Sequence, residues 1–305
     1  MDSNFAISLR GLTKYYPNSS RPALDAVDLD IQKGKFFGLL GPNGAGKSTI
    51  INILAGLALK TSGKVLINGL DLDEHHRDTK WNIGIVPQEL VIDPFFTVHE
   101  TLEFYAGYYG IPKRKRITDE LISAMGLEAK ANAPSRSLSG GMRRRLLIAK
   151  ALVHKPPVIV LDEPTAGVDI ELRLQLWDYI RKLNKAGTTI ILTTHYLEEA
   201  EQLCDEIAII NRGKLVTQGS TSDLLQQAGK KTYRFQLGQP LELIPNELAR
   251  FPLVLKTPTE LELNCSNIEM LSQLLPELQE NGIEVTDLTI HQAKLEEVFR
   301  SYVTV

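Results

Sequence analysis

One glycine-rich segment constrains the fold of this chain more than any other part of the sequence. The segment Gly41–Ser48 has the letters GPNGAGKS and fits the pattern G-x-x-x-x-G-K-[ST]. It follows an apolar run, Phe36–Leu40, that predicts a buried strand, and from Lys47 onward the apolar residues recur at helical spacing. A strand, a glycine-rich turn and a helix in this order predict a phosphate-binding loop at the edge of an α/β sheet.

The residue types in this loop suit the phosphates of a nucleotide. Glycines allow backbone N–H groups to close around phosphate oxygens, and a helix that starts there adds the positive end of its dipole. We expect Lys47 to reach the β- and γ-phosphates and the hydroxyl of Ser48 to ligate Mg²⁺. The residues predicted to bind the nucleotide in this segment are Gly41, Pro42, Asn43, Gly44, Ala45, Gly46, Lys47, Ser48 and Thr49.

A second apolar run ends in two carboxylates. Val158–Leu161 predicts a buried strand and is followed directly by Asp162 and Glu163. In parallel α/β sheets ligands bind at the carboxyl ends of the strands, so these two side chains are expected beside the phosphate loop. Asp162 suits the magnesium shell, directly or through water, and Glu163 suits a general base that orients and deprotonates an attacking water.

The order of the elements predicts two domains. Strands alternate with helices as far as about residue 225, which predicts an α/β core with a mostly parallel sheet, interrupted by a mostly helical region at about residues 90–155. Beyond that point three short strands, a helix, another strand and a final short helix predict a small α+β appendage. We therefore place the nucleotide-binding domain at residues 5–228 and the accessory domain at residues 229–305.

Composition excludes several classes of protein. The chain has 34 Lys and Arg against 37 Asp and Glu, a net charge of −3, which rules out a dominant polybasic face for nonspecific nucleic-acid binding. Its two cysteines cannot form a disulfide framework or a zinc site by themselves. No stretch approaches the ~20 apolar residues that span a bilayer. With its polar start, the sequence predicts a soluble chain in a reducing cytosol, whose membrane spans, if it works at a membrane, belong to another chain.

A further glycine-containing motif lies upstream of Asp162. The segment Leu138–Met142 has the letters LSGGM and is followed by helical text. Ser139 is a favourable N-cap, and Gly140 and Gly141 let bare backbone N–H groups face an anion at a helix start. In the company of the phosphate loop and the two carboxylates, this segment resembles the signature motif of the nucleotide-binding subunits of ABC transporters. The resemblance covers roughly residues 5–225.

The resemblance implies a fold and an activity. The fold is that of the P-loop NTPases, with a RecA-like parallel-sheet core, an antiparallel β subdomain and a helical subdomain, here followed by the small α+β domain. The activity is ATP hydrolysis with ATP and Mg²⁺ bound. The catalytic residues would be Glu163, His195 and Gln88, and the metal-binding residues Ser48, Gln88 and Asp162. In this assignment Gln88 resembles the Q-loop glutamine and His195 the switch histidine that contacts the γ-phosphate.

The resemblance also implies that two copies of the chain share the nucleotides. Ser139, Gly140 and Gly141 of one copy would close over the γ-phosphate bound by the other, so a homodimer would enclose two ATP molecules. Asp169 resembles the D-loop residue that communicates across such a dimer. Tyr16 would stack on the adenine ring, and the neighbouring Tyr15 stays open as the alternative.

Two segments resemble the ATPases of bacterial ABC-2 type export systems, drug-resistance ATPases among them. They are THYLEEAE at residues 194–201 and KLEEVF at residues 294–299. In those systems a separate permease chain holds the membrane spans. The resemblance therefore implies a permease partner whose coupling helix would bind the region around residues 90–135. It also implies a location on the cytoplasmic face of the inner (plasma) membrane and no nucleic-acid partner.

Three alternatives belong to other functional classes. A soluble ABC ATPase acting on ribosomes usually carries two motif sets, and one acting on DNA carries a long coiled-coil insertion, whereas this chain has one set and no long heptad run. The ATPase of an importer would differ mainly in its permease and binding protein. A phosphate-loop kinase outside the family would lack the segment Leu138–Met142.

Overall fold

The computed structural model describes residues 4–17, 19–165, 167–168, 170–228, 232–264, 268–291 and 294–303. These residues fall into two compact units, one that ends at Thr221 and one that begins at Ser222. The boundary predicted after residue 228 lies at the C-terminal end of the helix Thr221–Ala228. Among the described residues, no helix combines the length and the hydropathy needed to cross a membrane.

The first unit alternates strands and helices along the chain. Its strands are β1 (Phe5–Lys14), β2 (Leu24–Gln32), β3 (Phe36–Leu40), β4 (Ser62–Ile67), β5 (Leu70–Asp71), β6 (Ile83–Val86), β7 (Val158–Asp162), β8 (Thr189–Thr193), β9 (Glu206–Asn211) and β10 (Lys214–Ser220). Its helices are α1 (Lys47–Leu54), α2 (His76–Trp81), α3 (Val98–Tyr108), α4 (Thr118–Ala124), α5 (Gly140–Leu152), α6 (Ile170–Lys185) and α7 (Leu197–Leu203), and α8 (Thr221–Ala228) begins at its last residue.

Two sheets make up the first unit. The larger has the strand order β10-β9-β3-β8-β7-β6, in which all neighbours are parallel except β9 and β10. The smaller sheet is antiparallel, in the order β2-β1-β4-β5. Strands β3, β7 and β8 are buried at every position, as their continuous apolar sequences predict for the centre of a parallel sheet. The predicted α/β core is therefore confirmed.

Parallel pairing brings several strand ends to one edge of the larger sheet. Asp162, the last residue of β7, pairs in register with Thr193, the last residue of β8. Strand β3 pairs with β8 on its other side, and the glycine-rich loop leaves directly from the end of β3. The loop, the two carboxylates and the segment after β8 therefore meet at the same edge.

Helices α3, α4 and α5 lie between β6 and β7 in the chain. Helix α3 starts with a capping box, in which the hydroxyl of Thr97 accepts from the backbone N–H of Glu100 and the Glu100 side chain accepts from the backbone N–H of Thr97. Helix α5 starts at Gly140, and its N-cap Ser139 accepts from the backbone N–H of Met142 at 3.3 Å. The N-cap role expected for Ser139 is confirmed.

The second unit is a small α+β fold. Its strands are β11 (Thr232–Leu237), β12 (Leu253–Thr257), β13 (Glu260–Asn264) and β14 (Val285–His291), and its helices after α8 are α9 (Ile268–Glu280) and α10 (Leu295–Val303). The strands form an antiparallel sheet in the order β12-β13-β11-β14. In β11 Tyr233, Phe235 and Leu237 are buried, and the same core includes Leu274 and Leu278 of α9. This arrangement confirms the expected α+β appendage.

Candidate functional site

Glycine is required at two positions of the phosphate loop because of what lies beside them. A Cβ on Gly41 would sit 2.2 Å from the carbonyl oxygen of Ile210 in β9. Gly46 has a φ of +112°, and a Cβ there would sit 2.7 Å from the carbonyl oxygen of Ala23. The loop backbone can take this path only without side chains at these positions, and helix α1 begins at the next residue, Lys47.

The loop encloses a cavity that also reaches three residues from distant parts of the chain. The cavity has a volume of about 390 Å³. Gln88, which follows β6, Glu163, which follows β7, and His195, which follows β8, all line it. Its other lining residues are Ala23, Asn43, Gly44, Ala45, Gly46, Lys47, Ser48 and Thr49. The structure thus brings seven of the nine predicted loop residues, all but Gly41 and Pro42, to one cavity with the three predicted catalytic residues.

Lys47 is the cation of this cavity. The residue is 7% exposed, and its ammonium donates to the carbonyl oxygens of Gly41 at 2.5 Å and Pro42 at 3.0 Å. Burial lowers the pKa of Lys47, although the nearby carboxylates of Glu163 and Asp162 act in the opposite direction. An ammonium group and the N-terminus of a helix at one cavity fit the phosphate chain of a nucleotide.

The carboxylate of Glu163 is the meeting point of the three predicted catalytic residues. The Nε2 of Gln88 donates to Oε2 of Glu163 at 2.8 Å, and Nε2 of His195 lies 2.5 Å from Oε1. The backbone N–H of Glu163 donates to the carbonyl oxygen of Thr193 at 3.0 Å. A carboxylate held in this way next to a phosphate site can accept a proton from a water molecule that lies between them.

Asp162 and Ser48 carry oxygen atoms of the kind that bind Mg²⁺ together with substrate phosphates. Asp162 is 7% exposed, and the hydroxyl of Thr193 donates to its Oδ1 at 2.5 Å. Among the described residues, no group of three or more His, Cys, Asp and Glu side chains is placed to hold a metal. Mg²⁺ is usually bound by one or two carboxylates together with substrate phosphates, so an isolated aspartate beside a phosphate cavity fits it.

Besides Gly41 and Pro42, two groups of predicted nucleotide-binding residues do not line this cavity. Ser139, Gly140 and Gly141 are one group, and a Cβ added to either glycine would meet no described atom within 4 Å, so the start of α5 is open. The other is the aromatic pair, in which Tyr15 is 46% and Tyr16 40% exposed. The ammonium of Lys14 lies 4.8 Å from the ring centroid of Tyr16. Asp169 lies outside the described residues.

Sequence reasoning missed two residues that support the site. Thr193 bonds the Asp162 carboxylate through its hydroxyl and the Glu163 backbone through its carbonyl oxygen. In the sequence, the one feature that could have indicated this role is that Thr193 ends an apolar strand. Arg144 is 5% exposed, and its Nη1 donates to the carbonyl oxygen of Pro87, next to Gln88, at 2.8 Å. A charged residue in a run of arginines gives no signal of burial.

Comparison with known proteins decides the family. Residues 24–166 match the family model described as ABC transporter. The linearmycin resistance ATP-binding protein LnrL of Bacillus subtilis (strain 168) is 35% identical over 283 residues, which cover 90% of this chain and 91% of that protein. The chain belongs to the ABC transporter ATP-binding family. The resemblance that the phosphate loop and the signature segment indicated is therefore confirmed.

Two further relatives are also ATP-binding proteins by name. The daunorubicin resistance ATP-binding protein DrrA3 of Streptomyces coeruleorubidus is 34% identical over 305 residues, covering 96% of this chain and 94% of that protein. The Nod factor export ATP-binding protein I of Ralstonia nicotianae (strain ATCC BAA-1114 / GMI1000) is 42% identical, covering 72% and 68%.

Among solved structures, an ATP-binding subunit of an ABC transporter matches with a TM-score of 0.68 at 28% identity, covering 73% of this chain and 92% of that one. A dimeric ATP-binding cassette in a post-hydrolysis state with ADP and Pi bound matches with a TM-score of 0.65 at 29% identity, covering 70% and 98%. The first unit therefore has the ABC ATPase fold, and the chain is an ATP-binding ATPase.

Proposed function

We propose that this ABC ATPase powers export through a separate membrane permease and that its hydrolytic centre is the cavity of the phosphate loop. The observation that carries the proposal is the convergence of Gln88 and His195 on the Glu163 carboxylate at the edge of that cavity. The names of the relatives support export as the direction of transport, because they are linearmycin and daunorubicin resistance proteins and a Nod factor export protein.

In the proposed reaction Glu163 acts as the general base. Its carboxylate takes a proton from the attacking water as the oxygen of that water bonds to the γ-phosphorus and the bond to the leaving ADP oxygen breaks. Gln88 and His195 hold the carboxylate in place, and the ammonium of Lys47 binds the β- and γ-phosphate oxygens. Ser48, Asp162 and Gln88 would hold Mg²⁺, which supplies charge neutralisation at the phosphates.

A second copy of the chain completes each nucleotide site in this proposal. The open helix start formed by Ser139, Gly140 and Gly141 can donate backbone N–H groups to an anion, yet these residues do not line the cavity of their own chain. A homodimer places them over the phosphates bound by the partner copy. Tyr16, with Tyr15 as the alternative, would stack on the adenine from the loop after β1.

An exposed apolar surface next to the site suits the permease. The apolar patch consists of side chains that are between 38% and 77% exposed, and its members are Leu90, Val91, Phe95, Phe96, Phe104 and Tyr108. The rings of Phe96 and Phe104 stack with centroids 5.7 Å apart. Exposed apolar side chains that pack on one another, as Phe96 and Phe104 do, are found at protein contact surfaces, and the first residue of the patch lies two residues after Gln88. A permease helix bound there would place the chain at the cytoplasmic face of the membrane.

Copurification from native membranes in detergent, with mass spectrometry, tests the partner. We expect a polytopic integral membrane protein to be recovered with the tagged chain. The variant Phe95→Ser should lose that protein while its ATPase rate stays unchanged, and Leu243→Ser, which changes an equally exposed residue outside the patch, should retain it. Recovery of ribosomal or DNA-repair proteins without a membrane chain would refute the export proposal and leave the ATPase activity standing.

A further inference from the structure

The segment that carries His195 and the segment that follows Glu163 are joined by one buried carboxylate. Glu199, on helix α7, is 8% exposed. We propose that Glu199 is a positioning residue for ATP hydrolysis, which holds His195 and Glu163 in the arrangement that the reaction requires. This inference rests on the roles proposed above for those two residues.

One oxygen of Glu199 joins the two segments directly. Its Oε2 accepts from the hydroxyl of Thr194 at 2.9 Å and from the hydroxyl of Thr165 at 3.1 Å. Thr194 precedes His195 and Thr165 lies two residues after Glu163 in the chain. A shift of either segment would therefore break or stretch a hydrogen bond to the same buried atom.

The other oxygen fixes the carboxylate to helix α6. The indole Nε1 of Trp177 donates to Oε1 at 3.4 Å, and Nη1 of Arg173 lies 3.8 Å from it. Both oxygens of the buried anion are thus used, and a guanidinium balances its charge. Because a buried charge that loses its partners is costly, this carboxylate resists rotation away from the two threonines.

The same cluster holds the backbone on both sides of His195. The hydroxyl of Thr194 accepts from the backbone N–H of Tyr196 at 3.0 Å, and the guanidinium of Arg173 lies 5.7 Å from the ring centroid of Tyr196. The His195 side chain itself is 48% exposed, so packing against its ring does little to hold it in place. Its position against Glu163 depends on the loop backbone, which Glu199 holds.

The expected effect is on turnover and not on nucleotide binding. Displacement of a catalytic group by about 1 Å costs up to about 10²-fold in rate. Glu199 does not line the cavity of the phosphate loop, so the affinity for ATP should change little. If the role of Glu199 were purely structural, its substitution would instead lower the melting temperature without a selective loss of kcat at an unchanged KM.

The test uses Glu199→Gln in the full chain, with Glu262→Gln as the matched control. A glutamine keeps the size of the side chain but can accept hydrogen bonds on one side only. Glu262 is 5% exposed in the second unit and is bonded by Arg234 Nε at 2.9 Å and paired with Lys256 Nζ at 3.3 Å. We expect Glu199→Gln to lower kcat by about 10- to 10²-fold with KM and ATP affinity within about threefold. Glu262→Gln should leave kcat within about twofold at a similar loss of melting temperature.

A double variant separates positioning from stability. Adding Glu199→Gln to His195→Ala should lower kcat by a smaller factor than Glu199→Gln does alone, because only its effect on Glu163 through Thr165 remains. Full additivity of the two losses, or a wild-type kcat in folded Glu199→Gln, would overturn the inference. If Glu199→Gln does not fold, Thr165→Val removes one hydrogen bond to Glu199, and Thr194→Val removes one to Glu199 and one to the Tyr196 backbone. Both variants should reproduce part of the kcat loss. Near-normal turnover in Glu163→Gln would overturn the proposed function instead, so the two failures are distinguishable.

Discussion

Glu163 has a backbone conformation that residues other than glycine adopt infrequently, with a φ of +51°. The chain turns at this residue directly after β7, so Asp162 stays buried against Thr193 while the Glu163 carboxylate contacts Gln88 and His195. A left-handed conformation of this kind costs on the order of 1 kcal/mol or more, and backbone strain of this size is found at functional sites. The turn gives two adjacent carboxylates separate positions and separate partners.

The variant Glu163→Gln tests the role of this carboxylate. An amide keeps the size of the side chain but cannot accept the proton of the attacking water, so turnover should fall by about 10²–10⁴-fold. ATP binding should persist, because the phosphate loop is unchanged. The measurement is steady-state phosphate release together with nucleotide affinity. The control is Glu198→Gln, an exposed carboxylate three residues after His195 that does not line the cavity, which should hydrolyse ATP at the wild-type rate. Near-normal hydrolysis by Glu163→Gln would remove it from this role.

At the scale of single residues, sequence patterns identify groups whose spacing is local. The phosphate loop and the pair Asp162–Glu163 are continuous in the chain, so their residue types can be recognised directly. Thr193 and Glu199 contribute through contacts across 31 and 34 positions, which depend on strand register and helix packing. No periodicity in a single sequence indicates such contacts, so these supporting residues become evident only in the structure.

Helix α5 shows how an element connects the site to the rest of the first unit. Arg144 donates to the carbonyl oxygen of Pro87 before Gln88, and Arg145 donates to that of Met125 at the end of α4. Burial lowers the pKa of Arg144, although Asp162 and Glu163 act in the opposite direction. The continuous apolar strands and the amphipathic helix α6 were predictable from hydrophobic patterning. The order of strands in the larger sheet and the burial of these arginines depend on non-local packing.

His154, which follows α5, is the titratable member of an aromatic cluster with Tyr109 and Trp81. The ring of His154 stacks on that of Tyr109 with centroids 3.9 Å apart. The rings of Trp81 and His154 are nearly perpendicular, with centroids 6.1 Å apart. Its Nε2 lies 3.3 Å from the carbonyl oxygen of Ile83, at the start of β6. Burial lowers the pKa of His154 to about 4. The folded state, in which this cluster joins α2, α3 and β6, therefore favours the neutral ring.

The pH dependence of stability tests this cluster. Because the folded pKa lies below the ordinary value, the unfolded chain takes up a proton first as the pH falls through about 6.5, and stability is lost down to about pH 4. Between pH 7.5 and pH 5 the wild type should lose about 2 kcal/mol more unfolding free energy than His154→Phe, which keeps a ring but does not titrate. Urea unfolding followed by tryptophan fluorescence measures it, since both tryptophans, Trp81 and Trp177, belong to the first unit. Equal pH dependence in the two proteins would contradict the prediction.

The whole molecule carries one phosphate loop and one signature segment, and the two are separate in the structure. The cavity is lined by the loop, while the start of α5 presents open backbone elsewhere on the same chain. In a symmetric dimer with the signature segment of each copy over the loop of the other, each copy contributes its loop to one nucleotide site and its signature segment to the second. Sequence reasoning predicted this arrangement through the family resemblance alone, because no pattern within one chain indicates a contact between copies.

Mixing two inactive variants tests whether the site is shared between copies. Lys47→Ala removes the phosphate-binding ammonium. Gly140→Asp adds a carboxylate where a Cβ meets no described atom, in the first turn of α5, so the fold should tolerate it while the charge repels phosphate. Each variant alone should be inactive. In a mixed dimer, the intact loop of the second variant faces the intact signature segment of the first, so the mixture should recover up to about a quarter of the wild-type ATPase rate. Absence of recovery, with both variants folded and dimeric, would show that each site is completed within one chain.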